Sequence, residues 1–208
     1  MEKQNLLENP PEKVLLMYRA VVDMINEGCD VNTMKVSDIT TRAGIGKGTA
    51  YEYFSSKEAI ITMALCHDML LKQGEVEKIV DGSGSFSKKI RGICNYEAKL
   101  MEKMQTFCTL VRIGTGSYEI SESIREEFKK LQENVGYGQI EDIIDRLMEQ
   151  GFAEGAIRQQ NRYLRRIAFS AQMLAYASYL VAGGNWNADI SDADMQNFIY
   201  ESMIKSLG

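Results

Sequence analysis

Val36-Ser37-Asp38-Ile39-Thr40-Thr41-Arg42-Ala43-Gly44-Ile45-Gly46-Lys47-Gly48-Thr49-Ala50-Tyr51-Glu52-Tyr53-Phe54-Ser55-Ser56-Lys57-Glu58 decides the fold. Val36, Ile39 and Ala43 share one face of a short helix, and Asp38 sits in its first turn, where a carboxylate suits the positive end of the helix dipole. Gly44-Ile45-Gly46 is a tight break. A second short helix is predicted from Lys47 to about Phe54. Ser55 and Glu58, three apart, read as a capping box before Ile60, Ile61, Ala64 and Leu65, so a longer helix is predicted over 56–80. Two short helices joined by a glycine turn, preceded by a longer one, form a helix-turn-helix, a unit that presents small and polar side chains to a DNA major groove about 12 Å wide.

Outward from this stretch the chain stays helical. Asn9-Pro10-Pro11-Glu12 is a start signal, with a helix beginning at Pro11. It carries Val14, Leu15, Tyr18, Val21, Val22 and Ile25 at three- and four-residue steps and ends at Gly28. A loop follows, Cys29 to Met34. After the linker Asp81-Gly82-Ser83-Gly84-Ser85, helices are predicted near Phe86–Met104, Thr106–Gly114, Ser121–Glu149, Asn161–Ala182 and Asp192–Leu207. Gly136 and Gly138 lie inside the third of these as points of kinking or close packing. No stretch alternates with period two, so the fold class is all-α.

Composition bounds the function. The 208 residues are 45% hydrophobic and 25% charged, with 2 prolines and a net charge of −5. No apolar run approaches the roughly 18 residues of a membrane span, and the N-terminus lacks a signal-peptide pattern, so the expected location is cytoplasmic. The 4 cysteines, Cys29, Cys66, Cys94 and Cys108, show no C-x-x-C spacing and read as small hydrophobes. One histidine, His67, leaves most hydrolase designs without a base. No catalytic residue, metal ligand or cofactor is assigned. Gly44-Ile45-Gly46-Lys47-Gly48-Thr49 superficially suggests a phosphate loop, but it matches neither phosphate-binding pattern and no strand precedes it. Between Val31 and Lys57 the cations Lys35, Arg42, Lys47 and Lys57 outnumber Asp38 and Glu52, a mildly basic segment in an acidic chain.

The quoted stretch resembles the DNA-binding signature of TetR-family transcriptional regulators: an apolar helix, A-G-[VI], a small cap, K-G-T, Y-x-Y-F and a capped S-K-E. Gly151-Phe152-Ala153-Glu154-Gly155-Ala156-Ile157-Arg158 resembles the family's link into its penultimate helix. Three positions depart from the pattern. Gly46 stands where the family commonly has Ser, Lys35 where it has Ser or Thr, and Ala50 where a larger apolar residue is frequent. The resemblance implies a homodimeric repressor that leaves a palindromic double-stranded operator when a small molecule binds. It implies an N-terminal DNA-binding domain (1–57, with 56–80 as linking helix) and a C-terminal helical bundle for ligand binding and dimerisation (58–208). It places Thr49, Ala50 and Tyr51 at base edges or backbone, Tyr53 and Lys57 at phosphates, and Thr40 where the supporting helix touches backbone. Lys47 adds a donor, and Gly48 lets the backbone approach a phosphate closely.

In the C-terminal body, Ala168, Ser170, Ala171, Ala175, Ala177 and Ser178 allow close helix approach. With Met195, Phe198, Ile199, Met203 and Ile204 in the last helix, two chains are expected to pair as a four-helix bundle. The ligand is unknown. Glu97 shares the apolar face of Ile90 and Ile93 and is the candidate polar group, with Met101, Phe107, Cys108, Phe128, Phe169 and Met173 as candidate lining. The helix over 56–80 is expected to carry the gating, as the one element both sites can bias. The alternative is a helical enzyme or interaction adaptor containing a helix-turn-helix-like fold. The absence of a nucleophile–base pair, metal cluster or cofactor loop in the sequence favours the regulator.

Overall fold

Pro11 fixes its own φ and cannot donate a backbone N–H, and it stands at the cap of the first long helix. The computed structural model describes residues 3–103, 105–114, 118–134, 138–182 and 190–208; the side chains of 3, 4, 102, 103, 105, 107, 114, 132–134, 138 and 139 lie outside the description. Eleven helices are described: α1 (Lys3–Glu8), α2 (Glu12–Asn26), α3 (Val36–Ala43), α4 (Lys47–Tyr53), α5 (Lys57–Asp81), α6 (Phe86–Lys103), α7 (Gln105–Gly114), α8 (Glu122–Asn134), α9 (Gly138–Ala153), α10 (Arg162–Val181) and α11 (Asp192–Leu207). No strand occurs among the described residues. The fold is all-α, with a helix-turn-helix in its N-terminal part.

The structure describes α8 up to Asn134 and α9 from Gly138, and residues 135–137 of the helix expected over 121–149, Gly136 among them, lie outside the described residues. Helix α1 was not foreseen, because six residues are too few to hold a helix by propensity alone. Tertiary contacts hold it instead. Leu6 and Leu7 are buried, the Tyr18 hydroxyl donates to the Leu6 carbonyl at 3.1 Å, and His67 Nδ1 donates to the Leu7 carbonyl at 2.7 Å.

The chain forms two compact units, Met1–Lys72 with Met104–Gly136, and Gln73–Lys103 with Tyr137–Gly208. The first unit holds α1 to α4, the N-terminal part of α5, and also α7 and α8. Its core gathers Val14, Met17, Tyr18, Val21, Ile39, Ala50, Phe54, Ile60, Ile61 and Leu65, with Ile124 and Leu131 from α8.

In the second unit α6, α9, α10 and α11 pack on one another. Its core is built on Phe86, Ile90, Ile93, Leu147, Met148, Phe169, Met173, Tyr176, Ile199 and Met203. A Cβ at Gly151 would lie 3.0 Å from the Phe86 ring, so the glycine permits α9 to approach that side chain. Glu154 then accepts from the Phe86 backbone N–H at 2.9 Å, capping α6. Between α9 and α10, Arg165 pairs with Glu149 at 2.6 Å, and Arg162 and Arg166 both pair with Asp145.

Candidate nucleic-acid interface

Helix α3 starts without a side-chain acceptor at its cap, since Lys35 has only donors. Asp38 compensates: its Oδ2 accepts the Lys35 backbone N–H at 3.2 Å. The helix stops at Gly44, whose φ of +68° is a left-handed conformation that costs glycine nothing. The Gly44 N–H reaches the Thr41 carbonyl, and the Ile45 N–H reaches the Thr40 carbonyl at 3.0 Å. Gly46 then caps α4 with extended backbone.

Helix α4 is anchored by Ala50, 1% exposed, and by Phe54 just beyond its end, 5% exposed. The Tyr18 ring lies 6.1 Å from that of Phe54. Lys47, Gly48 and Tyr51 face solvent, Tyr51 at 57% exposure, while Thr49 and Tyr53 are half-buried. Five of the eight DNA-contact candidates, Lys47, Gly48, Thr49, Tyr51 and Tyr53, therefore lie together around one short helix.

The other three are placed differently. Thr40 is buried, and its hydroxyl donates to the Val36 carbonyl at 2.9 Å, so it does not reach the face. Ala50 points into the core, so its small size concerns the seating of α4 and not a base contact. Lys57 donates from Nζ to the carbonyls of Asn32 and Met34, each at 3.0 Å, which fastens the loop between α2 and α3 to the start of α5. The α5 cap is Ser56 and not Ser55: Ser56 Oγ accepts the Ala59 N–H at 3.1 Å.

The electrostatics follow. Arg42 is held by Glu27 through two bonds of 2.6 and 2.5 Å. The carboxylate keeps the guanidinium firmly charged, and Glu27 lies below its ordinary range because of the same hydrogen bonds. With Lys57 engaged internally, Lys35 and Lys47 are the cations of this segment with no ion pair among the described residues.

Sequence reasoning missed the residues that support this face from behind. Asn32 binds the segment 119–121 with both ends of its amide: Nδ2 donates to the Glu119 carbonyl at 3.0 Å, and Oδ1 accepts the Ser121 N–H at 2.8 Å. Asp30 accepts from the Tyr118 hydroxyl at 2.6 Å. This bond and the Asn32 N–H hold its carboxyl below the usual range, while burial and the same Asp30 push Tyr118 up to about 12. Asn26 Oδ1 accepts from the backbone and hydroxyl of buried Thr106, at 3.1 and 2.8 Å. A polar side chain here carries no signal for a partner eighty or more positions away.

The ligand candidates divide between the units. Cys108 and Phe128 belong to the first, where Phe128 packs against the core; the Phe107 side chain lies outside the described residues. Glu97, Met101, Phe169 and Met173 belong to the second, where α6 packs on α10. Glu97 Oε2 is buried without a hydrogen-bond partner among the described residues. Burial pushes its carboxyl up to about 8. Of the cysteines, Cys94 is buried and raised to about 12, Cys66 and Cys108 are half-buried, and Cys29 is exposed, against the expectation for that residue.

Residues 30–63 match the model of the bacterial regulatory proteins of the tetR family. No match was found among curated proteins. Among solved structures, the chain is similar to the transcriptional regulator FadR of Bacillus subtilis in complex with stearoyl-CoA, at 17% identity and a TM-score of 0.63, over 93% of this chain and 99% of that one. The fatty acid degradation regulator FadR of Bacillus halodurans matches at 15% identity and a TM-score of 0.63, over 92% and 94%. A TetR/AcrR-family regulator of Thermobifida fusca matches at 16% identity and a TM-score of 0.55, over 93% and 97%.

Proposed function

We propose that this chain, a member of the TetR family of transcriptional regulators, acts as a homodimeric repressor that reads a palindromic operator through α4 and is released by a small molecule. The observation that carries the DNA reading is the seating of α4. Ala50 and Phe54 fix the helix in the core, and Lys47, Gly48, Thr49, Tyr51 and Tyr53 are left around its outer side. Lys47 and Tyr51 supply donors to phosphate and base edges, and Gly48 brings backbone close to a phosphate. Lys57 and Thr40 support the unit from inside. Two such heads on a two-fold axis would face successive major grooves roughly 34–36 Å apart. Selection of bound molecules from a pool of random duplexes tests this. An inverted repeat with half-sites about one helical turn apart is expected, and recovery of unselected sequence refutes it.

The two-fold is assigned to α10 and α11. On α10 the side opposite the buried Arg165, Phe169, Met173 and Tyr176 carries Leu164, Ile167, Ala171, Leu174, Ala175 and Ser178, all exposed, and α11 exposes Phe198. An apolar stripe with a three-four period is what a helix-helix interface needs.

For the ligand, Glu97 with Met101, Phe169 and Met173 favours a largely apolar molecule bearing a hydrogen-bond acceptor, because a carboxyl raised to about 8 is mostly protonated at pH 7 and can donate. The stearoyl-CoA of the Bacillus subtilis FadR complex makes long-chain acyl thioesters the first class to test. Thermal-shift titration with stearoyl-CoA, free stearate and coenzyme A separates the acyl chain from the nucleotide end. No shift with any of the three refutes the acyl assignment and leaves the DNA reading intact.

A further inference from the structure

The loop between α2 and α3 is short and polar, yet it is tied from two directions within the first unit. From α5, Lys57 holds the carbonyls of Asn32 and Met34. From the segment between α7 and α8, Glu119 and Ser121 take both ends of the Asn32 amide, and Tyr118 takes Asp30. The pairing fixes the amide's orientation: reversing it would set N–H against N–H at Ser121 and oxygen against oxygen at Glu119. Ser121 is also the residue before α8, and its hydroxyl accepts the Ile124 N–H at 3.4 Å. Asn32 therefore grips the N-terminus of α8 directly. On the other side, Val31 and Met34 are buried in the core from which α3 emerges.

Chain connectivity makes this grip informative. Helices α7 and α8 lie in sequence between α6 and α9, both of the second unit, yet they belong to the first. The polar ties of this returning segment to the α2–α3 loop are made by Asn32 and Asp30.

We propose that Asn32 is a positioning residue for DNA reading, the joint through which the α7–α8 segment sets the placement of α3 and α4. This rests on the DNA-binding reading above. Asn32 touches no DNA in this account. It acts through Lys57's two acceptors and the buried Val31 and Met34, which set where α3 begins.

The test compares two affinities in the full-length dimer, for the operator recovered by selection and for a random duplex of equal length, with the thermal midpoint recorded alongside. Asn32→Ala removes both amide bonds. Operator affinity should fall about tenfold or more, while affinity for the random duplex, carried by phosphate contacts, should change less than about threefold. Asn32→Asp keeps the Ser121 bond, loses the Glu119 bond and should fall between. A lowered midpoint with an unchanged ratio of the two affinities, measured where the variant is folded, means that Asn32 only stabilises, and overturns the proposal. Should Asn32→Ala fail to fold, Tyr118→Phe deletes one hydroxyl from the same joint and should lower the ratio about two- to fourfold; no change there also overturns it. If the wild-type protein selects no duplex, the DNA-binding reading itself has failed. If it selects one and Asn32→Ala binds it equally, that reading stands and this inference falls.

Discussion

Ile167→Glu should split the proposed dimer and, with it, operator binding. Ile167 is 50% exposed, Leu164 54%, Leu174 49% and Phe198 61%. Burying a whole side chain of this kind contributes about 1.5–3 kcal/mol, so covering the half still exposed is worth about 1 kcal/mol each. Two-fold symmetry counts every residue twice, and four such residues give about 8 kcal/mol before the costs of association. Replacing Ile167 removes about 2 kcal/mol from that total. It also buries two carboxylates against apolar surface, at a further 2 kcal/mol or more. The sum, about 4 kcal/mol, raises the dimer dissociation constant about a thousandfold.

Sedimentation velocity over a concentration series reads this directly, with Phe152→Glu on α9, itself 40% exposed, as the control for a new surface charge. Ala171→Arg should act the same way by steric block. The variant should sediment as a monomer at concentrations where the wild type and the control are dimers, and its operator affinity should fall to that of one half-site. If Ile167→Glu and Ala171→Arg both remain dimeric, the interface lies elsewhere and the stripe has another purpose.

Gly48→Ala should leave the fold intact or firm α4 by up to about 1 kcal/mol, since a Cβ there meets nothing within 4 Å. Operator affinity should nevertheless drop, and an unchanged affinity would mean that no backbone approach occurs at this position. Lys57→Ala removes two charge-assisted hydrogen bonds, about 2 kcal/mol for a half-buried side chain, and should lower the thermal midpoint by about 4–8 °C with little change in salt dependence. A full unit lost from the salt slope at an unchanged midpoint would return Lys57 to a phosphate. Glu97 titrates at about 8 against an ordinary 4.5, so the folded state holds the extra proton and stability falls as pH rises through that window. Glu97→Gln should gain on the wild type as pH goes from 5 to 9, by at most about 5 kcal/mol, and parallel pH curves would show that Glu97 is solvated.

The reading head was legible because its signals are local. Gly44 is where a left-handed residue must stand, Gly46 is where α4 must be capped, and the apolar period of α2 needs no partner to be seen. Where a signal depends on packing, the sequence misleads by one position or one face. Ser55 and Ser56 look alike as caps until the helix start is known. Thr40 and Ala50 lie within the motif, but burial turns both inward. An apolar residue on a helical face gives no sign of which unit its helix joins, so the sequence sets Phe128 beside Phe169 although they lie in different units.

The division into units follows from the same limit. The chain leaves the first compact unit after Lys72, returns at Met104 and leaves again after Gly136. The return is stabilised by contacts between distant residues: Asn26 with Thr106, Asp30 with Tyr118, Asn32 with Glu119 and Ser121. None of these is a strong interaction alone, since an ordinary hydrogen bond contributes about 1 kcal/mol. Together they amount to a few kcal/mol, the size of the differential binding energy with which a ligand shifts a two-state equilibrium. A joint much stronger than this would hold the head in one placement whatever bound elsewhere, and a much weaker one would transmit nothing. The polar character of the α2–α3 loop thus suits the proposed function, in which the head is held firmly enough to read DNA and loosely enough to be released.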